Sequence, residues 1–211
     1  MKKTFFQKTY NLISYLFFFG VTSFILSFVL NLLVKLFGNL DIPFLSNIII
    51  LIQDKLNLLE NYTKQIATIL MLTAVSLIVI ELTHRIISDN ILNYFKSVYQ
   101  TIRLRQFLWQ DEKSESVITI DNQTTVTKFN PILRNFNQTT KKSTVDIKKD
   151  SVIVFIKYPR TQQAQKLLRD MEEHIKEEIA SRNPNYYFSS PNREGNKPVS
   201  YTHLTLPTNS L

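Results

Sequence analysis

The sequence predicts an α+β protein with transmembrane helices: a two-helix membrane anchor followed by a small mixed α+β cytoplasmic domain of two hairpins, one helix and a short last strand. Three observations lead there. Apolar residues crowd the chain up to about Ile87, whereas polar and charged residues dominate after it. The first part holds two stretches long enough, and poor enough in charge, to cross a bilayer. The second part alternates between a period of two and a period of 3.6, the marks of strand and helix. A length of 211 residues holds one modest soluble domain plus anchors, not two large domains.

Residues 1–9 form a basic amino terminus with Lys2, Lys3 and Lys8. From Tyr10 to Val34 there is no Asp, Glu, Lys or Arg. About 20 apolar residues cross a bilayer core, so residues 10–36 are expected to be the first span. A cleaved signal peptide also opens on basic residues, but this apolar run is too long for one. It is followed by Lys35-Leu36-Phe37-Gly38 instead of a small-x-small cleavage site.

The connection 37–64 contains Ile48-Ile49-Ile50-Leu51-Ile52, Leu56, Leu58 and Leu59. That run is too short and interrupted to cross, and an interfacial amphipathic helix is expected; a third span here would reverse the topology. Residues 65–87 form the expected second span. Thr68, Thr73 and Ser76 return their hydroxyls to backbone carbonyls and so do not oppose insertion. Glu81, close to His84 and Arg85, is expected to be solvated at the interface; an intramembrane functional carboxylate is the sharper alternative.

The net charge of +8 is unevenly placed. His84 to Pro198 carries 19 Lys and Arg against 13 Asp and Glu, while Phe37 to Gln65 carries two Lys against three acids. Basic flanks stay on the cytoplasmic side. The expected localisation is therefore the cell membrane, multi-pass, with both termini cytoplasmic.

Beyond the second span, residues 88–110 are expected to form a juxtamembrane amphipathic helix. Ile87, Ile91, Tyr94 or Phe95, Val98 and Ile102 make its apolar stripe, with Arg85, Lys96, Arg103 and Arg105 around it. Such a helix can lie on anionic lipid, pair with its own copy, or pack on the domain behind it. In the domain, 111–198, Val117–Ile120 and Thr125–Phe129 flank Asp121-Asn122-Gln123 as a first hairpin. Ser143–Ile147 and Ser151–Tyr158 flank Lys148-Lys149-Asp150 as a second. In its second strand Val152, Val154 and Ile156 alternate with Ile153 and Phe155, so both faces are expected to be buried. A helix from Thr161 to about Arg182 has Ala164, Leu167, Leu168, Met171, Ile175 and Ile179 on its apolar face. Tyr186–Ser189 is the short last strand.

Composition narrows the chemistry. With three Gly and no GxxxxGK[ST] pattern there is no phosphate-cradling loop, and with no Cys there is no disulfide, thiol nucleophile or thiolate metal site. His174 stands among Glu173, Glu177 and Glu178, but zinc needs three or four convergent ligands, so this reads as a solvated helix face. Those acids interleave with Lys166, Arg169, Lys176 and Arg182 as helical charge pairs. No catalytic residue, metal site or cofactor is predicted, and the chain as it stands is not expected to be an enzyme. Arg134, Lys141, Lys142, Lys148 and Lys149 remain, read as loop residues near Phe129 and Phe136 and as candidates for polyanion binding. Their partner can be DNA phosphates or the anionic leaflet, and the bland alternative is an ordinary Lys-rich surface.

The stretch Asp150-Ser151-Val152-Ile153-Val154-Phe155-Ile156-Lys157-Tyr158-Pro159 is followed by Gln163-Ala164-Gln165-Lys166-Leu167-Leu168-Arg169-Asp170, by Glu173-His174-Ile175-Lys176-Glu177-Glu178-Ile179 and by Tyr187-Phe188-Ser189. Together with the two preceding spans it resembles the amino-terminal membrane region of FtsK/SpoIIIE-type DNA translocases and coupling proteins of Gram-positive conjugative and mobile elements. The resemblance covers about a quarter of the chain and includes no catalytic motif. It implies a membrane anchor and assembly module of a conjugative DNA-transfer apparatus. The partners it implies are membrane lipid, sister subunits, other transfer proteins and non-specific DNA. In that family a hexameric motor follows; its phosphate loop and acidic Mg²⁺-binding strand have no counterpart here, so no catalytic residue carries over. Either a motor lies beyond Pro198 or the chain is a short accessory protein. A small two-pass membrane sensor signalling through its cytoplasmic domain is the alternative reading.

Residues 199–211 stand apart. Val199-Ser200-Tyr201-Thr202-His203-Leu204-Thr205-Leu206-Pro207-Thr208 resembles, residue for residue, a translated sequencing adapter. The resemblance implies a non-native tail, so no function is expected of it, His203 included.

Overall fold

The computed structural model describes residues 3–39, 43–112, 117–118, 124–125, 130–184, 186, 188 and 199–202. It divides into two units, Lys8–Thr83 and Met1–Gln7 with His84–Leu211.

The first unit is a pair of long helices, α1 (Phe5–Gly38) and α2 (Ser46–Ser88), joined through a single 3-10 turn at Pro43–Leu45. Both are long and apolar enough to cross a membrane, and only 17% of the most apolar window of each is buried within the protein. Phe18, Phe28, Ile69 and Leu72 all point outward, as the core helix of a soluble fold would not allow. A Cβ at Gly20 would meet Met71 Sδ at 2.8 Å, Ser27 Oγ donates to Glu60 Oε1 at 3.2 Å, and Gln53 Nε2 donates to the Val34 carbonyl at 3.4 Å. Residue numbers thus fall along α2 as they rise along α1, and the pair is antiparallel. Gly20 allows the backbones to approach where a side chain would hold them apart.

The interfacial helix expected in the connection is not a separate element. Ser46–Leu59 is the first part of α2, which runs for 43 residues without a break. At ~1.5 Å per residue it is about 65 Å long, twice the ~30 Å hydrocarbon core. No Gly or Pro interrupts Ser46–Ser88, so nothing local stops the helix where its composition turns polar. Among the described residues two helices, not three, have the length and hydropathy of a span. Glu81 also departs from expectation: it is buried, 5% exposed, rather than solvated.

The second unit is α+β. It contains α3 (Ile91–Leu108), β1 (Val117–Ile118), β2 (Thr124–Thr125), α4 (Pro131–Thr140), β3 (Thr144–Ile147), β4 (Val152–Ile156), α5 (Gln162–Asp170), α6 (Glu172–Arg182) and β5 (Val199–Thr202). The expected first hairpin is present as β1 antiparallel to β2, with Val117 opposite Thr125; the rest of it lies outside the described residues. The expected second hairpin pairs Thr144 with Phe155 and Ile147 with Val152. Burial of β4 on both faces follows the expectation, with Ile153 the one half-buried position.

Three features differ from the sequence reading. Helix α4 replaces part of an expected loop: Asn130 Oδ1 accepts from the Ile132 and Leu133 amides, and Pro131 takes the first turn, where its missing N–H costs nothing. The expected helix from Thr161 to Arg182 breaks at Met171, whose φ of −88° and ψ of −3° lie between the helical and bridge regions. The domain thus has α4, α5 and α6 where one helix was expected. The expected last strand is reduced to a single bridge at Tyr186, with Tyr187 and Ser189 outside the described residues. The third strand of the sheet is instead β5, paired with β4 by Val154 opposite Tyr201. That is the adapter-like segment; pairing through backbone alone is open to any extended segment at a free edge.

The core joins Leu104 and Leu108 of α3, Phe136 of α4, Val145, Val152, Val154 and Ile156 of the sheet, and Leu168, Ile175 and Ile179 of α5 and α6. Each such side chain contributes roughly 1.5–3 kcal/mol on burial.

Candidate functional site

The residues expected to bind polyanions do not form one patch. Arg134 is exposed on α4, not in a loop, and Lys141 caps the same helix seven residues on, so the two share a face. Lys142 follows in the turn before β3, while Lys148 and Lys149 follow β3 at its other end. Six residues of extended chain separate Lys142 from Lys148, about 20 Å at ~3.3 Å per residue. Phe136, expected as an aromatic neighbour, is 0% exposed in the core and offers no stacking surface. Phe129 lies outside the described residues.

The two ends of β3 have different electrostatics. At the Lys148–Lys149 end, the Lys149 amide donates to Asp89 Oδ1 at 2.9 Å and the Tyr186 hydroxyl donates to the Lys148 carbonyl at 3.1 Å. The Tyr186 phenol is held above its ordinary pKa by burial, then by the negative Asp89 and Asp150. Two acids, Asp89 and Asp150, therefore stand beside this turn. At the other end the pairing register places Lys142 opposite Lys157, two residues past the Thr144–Phe155 pair. Burial lowers the Lys157 pKa, and the positive Lys142 and Arg160 lower it further. Lys3 joins them: its ammonium lies 4.0 Å from the Phe155 ring centre, and burial, then the charge of Lys157, lowers its pKa. Lys157 thus feels the positive charges of Lys142 and Arg160, and Lys3 feels that of Lys157.

Sequence reasoning missed Lys3, Lys157 and Arg160. The hairpin register held a signal for Lys157, since a strand pair fixes which residues face each other. Lys3 had none, because it reaches this site across more than 130 residues of chain.

Residues flanking the spans also pack on this sheet. Arg85 is 2% exposed; its guanidinium meets Asp146 Oδ1 at 2.5 Å and the Ile147 carbonyl at 2.9 Å. It also lies 5.4 Å from the Phe6 ring and 5.8 Å from the Tyr94 ring, which meet edge to face. Gln7 Nε2 donates to the Ile153 carbonyl at 3.1 Å. Lys3, Phe6 and Gln7 thus cover one face of the β3–β4 pair, and Arg85 is a structural ion-pair partner rather than a solvated flank.

The open edge of β3 is closed by a helix rather than a strand. Ser97 Oγ accepts from the Ile147 amide at 2.8 Å, Thr101 Oγ1 accepts from the Val145 amide at 2.9 Å, and Arg105 Nε donates to the Ser143 carbonyl at 2.9 Å. Positions 97, 101 and 105 form one row on α3. Residues 143, 145 and 147 are those whose backbone groups point away from β4. His174 is exposed on α6, and no group of three or more His, Asp or Glu converges among the described residues.

Comparison with protein-family models, with curated proteins and with solved structures finds no match to this chain.

Proposed function

We propose that this protein is a two-span membrane anchor and assembly module that holds a small basic α+β domain against the cytoplasmic face, where it contacts a polyanion. The resemblance noted in the sequence makes the apparatus one of conjugative DNA transfer and the polyanion DNA, with sister subunits and other transfer proteins as further partners. The observation that carries the reading is the membership of Met1–Gln7 in the same unit as the chain after the second candidate span. With Phe6 and Gln7 packed against Tyr94, Arg85 and Ile153, an even number of crossings must separate them. The excess of Lys and Arg in these flanks makes that side cytoplasmic. Lys3, Lys142, Lys157 and Arg160 then form a basic group on the side where DNA in transit would pass.

The test uses the full chain in nanodiscs. Duplex DNA is expected to bind with an affinity that falls steeply with salt, and K142E/K157E is expected to flatten that slope by about two. K148E/K149E should change it less, because Asp89 and Asp150 beside that turn already lower its positive potential. Equal effects from both pairs, or no DNA binding, would overturn the assignment. The chain has no Cys, so single cysteines introduced at 3 and 58 report topology without background. Labelling of both from one side would refute two crossings.

One feature favours the sensor as a second reading: α2 is a single helix from Ser46 to Ser88, a stiff link between the outer segment and the domain. Insertion of Gly-Gly after Lys64 would abolish signalling in a sensor and leave DNA binding by an anchor unchanged.

A further inference from the structure

The sequence leaves the apolar stripe of α3 three places to go: anionic lipid, its own copy, or the domain behind it. The structure turns it outward. Ser97, Thr101, Leu104 and Leu108 are the buried positions, while Leu92, Phe95, Tyr99, Ile102 and Trp109 are exposed by 46 to 60%. At 100° per residue the exposed positions of α3 cover about 140° of its circumference, and Lys96 and Arg103 lie together along one border. Arg105 lies along the other, half-buried. Ile91–Leu108 contains no Asp or Glu. Exposed apolar residues also precede the helix: Ile86 and Ile87 are 63% and 82% exposed in the last turn of α2. Only Asp89 and Asn90 separate the two helices.

We propose that the outward face of α3 seats in the interface of an anionic bilayer, with its aromatic and aliphatic row at the headgroup–acyl boundary. This rests on the membrane-anchor reading above. The chemistry of this face fits lipid in three ways. The face combines large apolar side chains with a Trp and a Tyr, residues suited to the boundary because one end of each ring is wet. Lys96 and Arg103 run along one border, cations that attract anionic headgroups. The Arg103 guanidinium donates to the Tyr99 hydroxyl at 3.1 Å, so the cation and the ring are presented together. Near the end of the row, Ile102, Arg105, Gln106 and Trp109 of α3 meet Thr140 and Lys141 around an open groove of about 420 Å³. It has an apolar floor and two cations at its rim. A second copy of α3 fits less well, because Lys96 and Arg103 of both copies would border one seam with no acid in either helix to answer them.

Trp109 is the one Trp in the chain, so its fluorescence reports this face without labelling. The full-length protein is reconstituted into vesicles of phosphatidylcholine with or without phosphatidylglycerol, carrying lipids brominated near the glycerol end of the acyl chain. Trp109 is expected to emit at blue-shifted wavelengths and to lose more than half its intensity to bromolipid in the anionic vesicles. K96E/R103E should halve that quenching in anionic vesicles and leave it unchanged in neutral ones. A Trp109 that is open to acrylamide and untouched by bromolipid, in protein that resists carbonate extraction, would overturn this inference and leave the anchor standing. Release of the protein by carbonate would overturn the anchor reading itself. A Trp109 shielded from acrylamide yet untouched by bromolipid, with Tyr99→Cys chains crosslinking to each other, would place a second copy on this face and also overturn the inference.

Discussion

Replacing Thr101 with Val tests whether α3 truly acts as the missing strand beside β3. Thr101 Oγ1 accepts from the Val145 amide at 2.9 Å and donates to the Val145 carbonyl at 3.2 Å, and Thr101 is 0% exposed. Valine keeps the volume and branching but offers neither function, so a buried N–H and a buried C=O lose their partners together. Each orphaned group costs about 1–3 kcal/mol, and T101V should therefore destabilise the domain by about 2–4 kcal/mol. T101S retains both hydrogen bonds and loses one methyl, about 1 kcal/mol. The assay is amide hydrogen exchange over residues 144–147 in the full chain in nanodiscs. Where exchange proceeds by opening of this unit, T101V should accelerate it by about 30- to 1,000-fold, since 1.4 kcal/mol is tenfold. The serine variant should stay within about tenfold of wild type. If T101V and T101S exchange alike, the hydroxyl is not closing the edge and the reasoning fails.

Three further outcomes are expected. Arg85→Met should cost about 3–5 kcal/mol because it leaves Asp146, itself 0% exposed, as a buried unpaired carboxylate; the double variant R85M/D146L should have a higher thermal midpoint than R85M alone, and a lower one would show the pair is not the reason. Gly20→Ala should be nearly neutral in thermal stability, because the close contacts of its Cβ, at 2.8 and 3.0 Å, are with Sδ and Cγ of the flexible Met71 side chain, and Leu70 Cβ lies at an ordinary 3.7 Å; Gly20→Leu should lower the midpoint measurably as it forces α1 from α2, and equal midpoints would show that the close approach does not matter. In K142A the Lys157 pKa should rise toward its ordinary value without reaching it, because burial, the larger cause, remains. An unchanged NMR titration midpoint for the Lys157 side chain would show that the two ammoniums do not interact across the strands.

What the sequence determined by itself is what depends on neighbours in the chain. The two apolar runs, the β3–β4 hairpin around Lys148–Asp150 and the apolar face of α5 and α6 were all legible, because hydropathy and period are local properties. Helix α4 also has a local signal, the Asn130-Pro131 start. What only the tertiary structure decided is which surfaces face which. Period alone gives α3 an apolar stripe but not the surface that the stripe faces. The unpaired backbone of β3 at 143, 145 and 147 draws in the row Ser97, Thr101 and Arg105, because leaving buried amides and carbonyls unpartnered costs more than exposing a few apolar side chains where another surface can cover them. The same holds for the basic group. The five cations between Arg134 and Lys149 are divided by the length of β3, and Lys3 is brought to Lys157 by a fold that turns the amino terminus back onto the sheet. Charge is written in the sequence, but its convergence is a distance, and distance is set by packing.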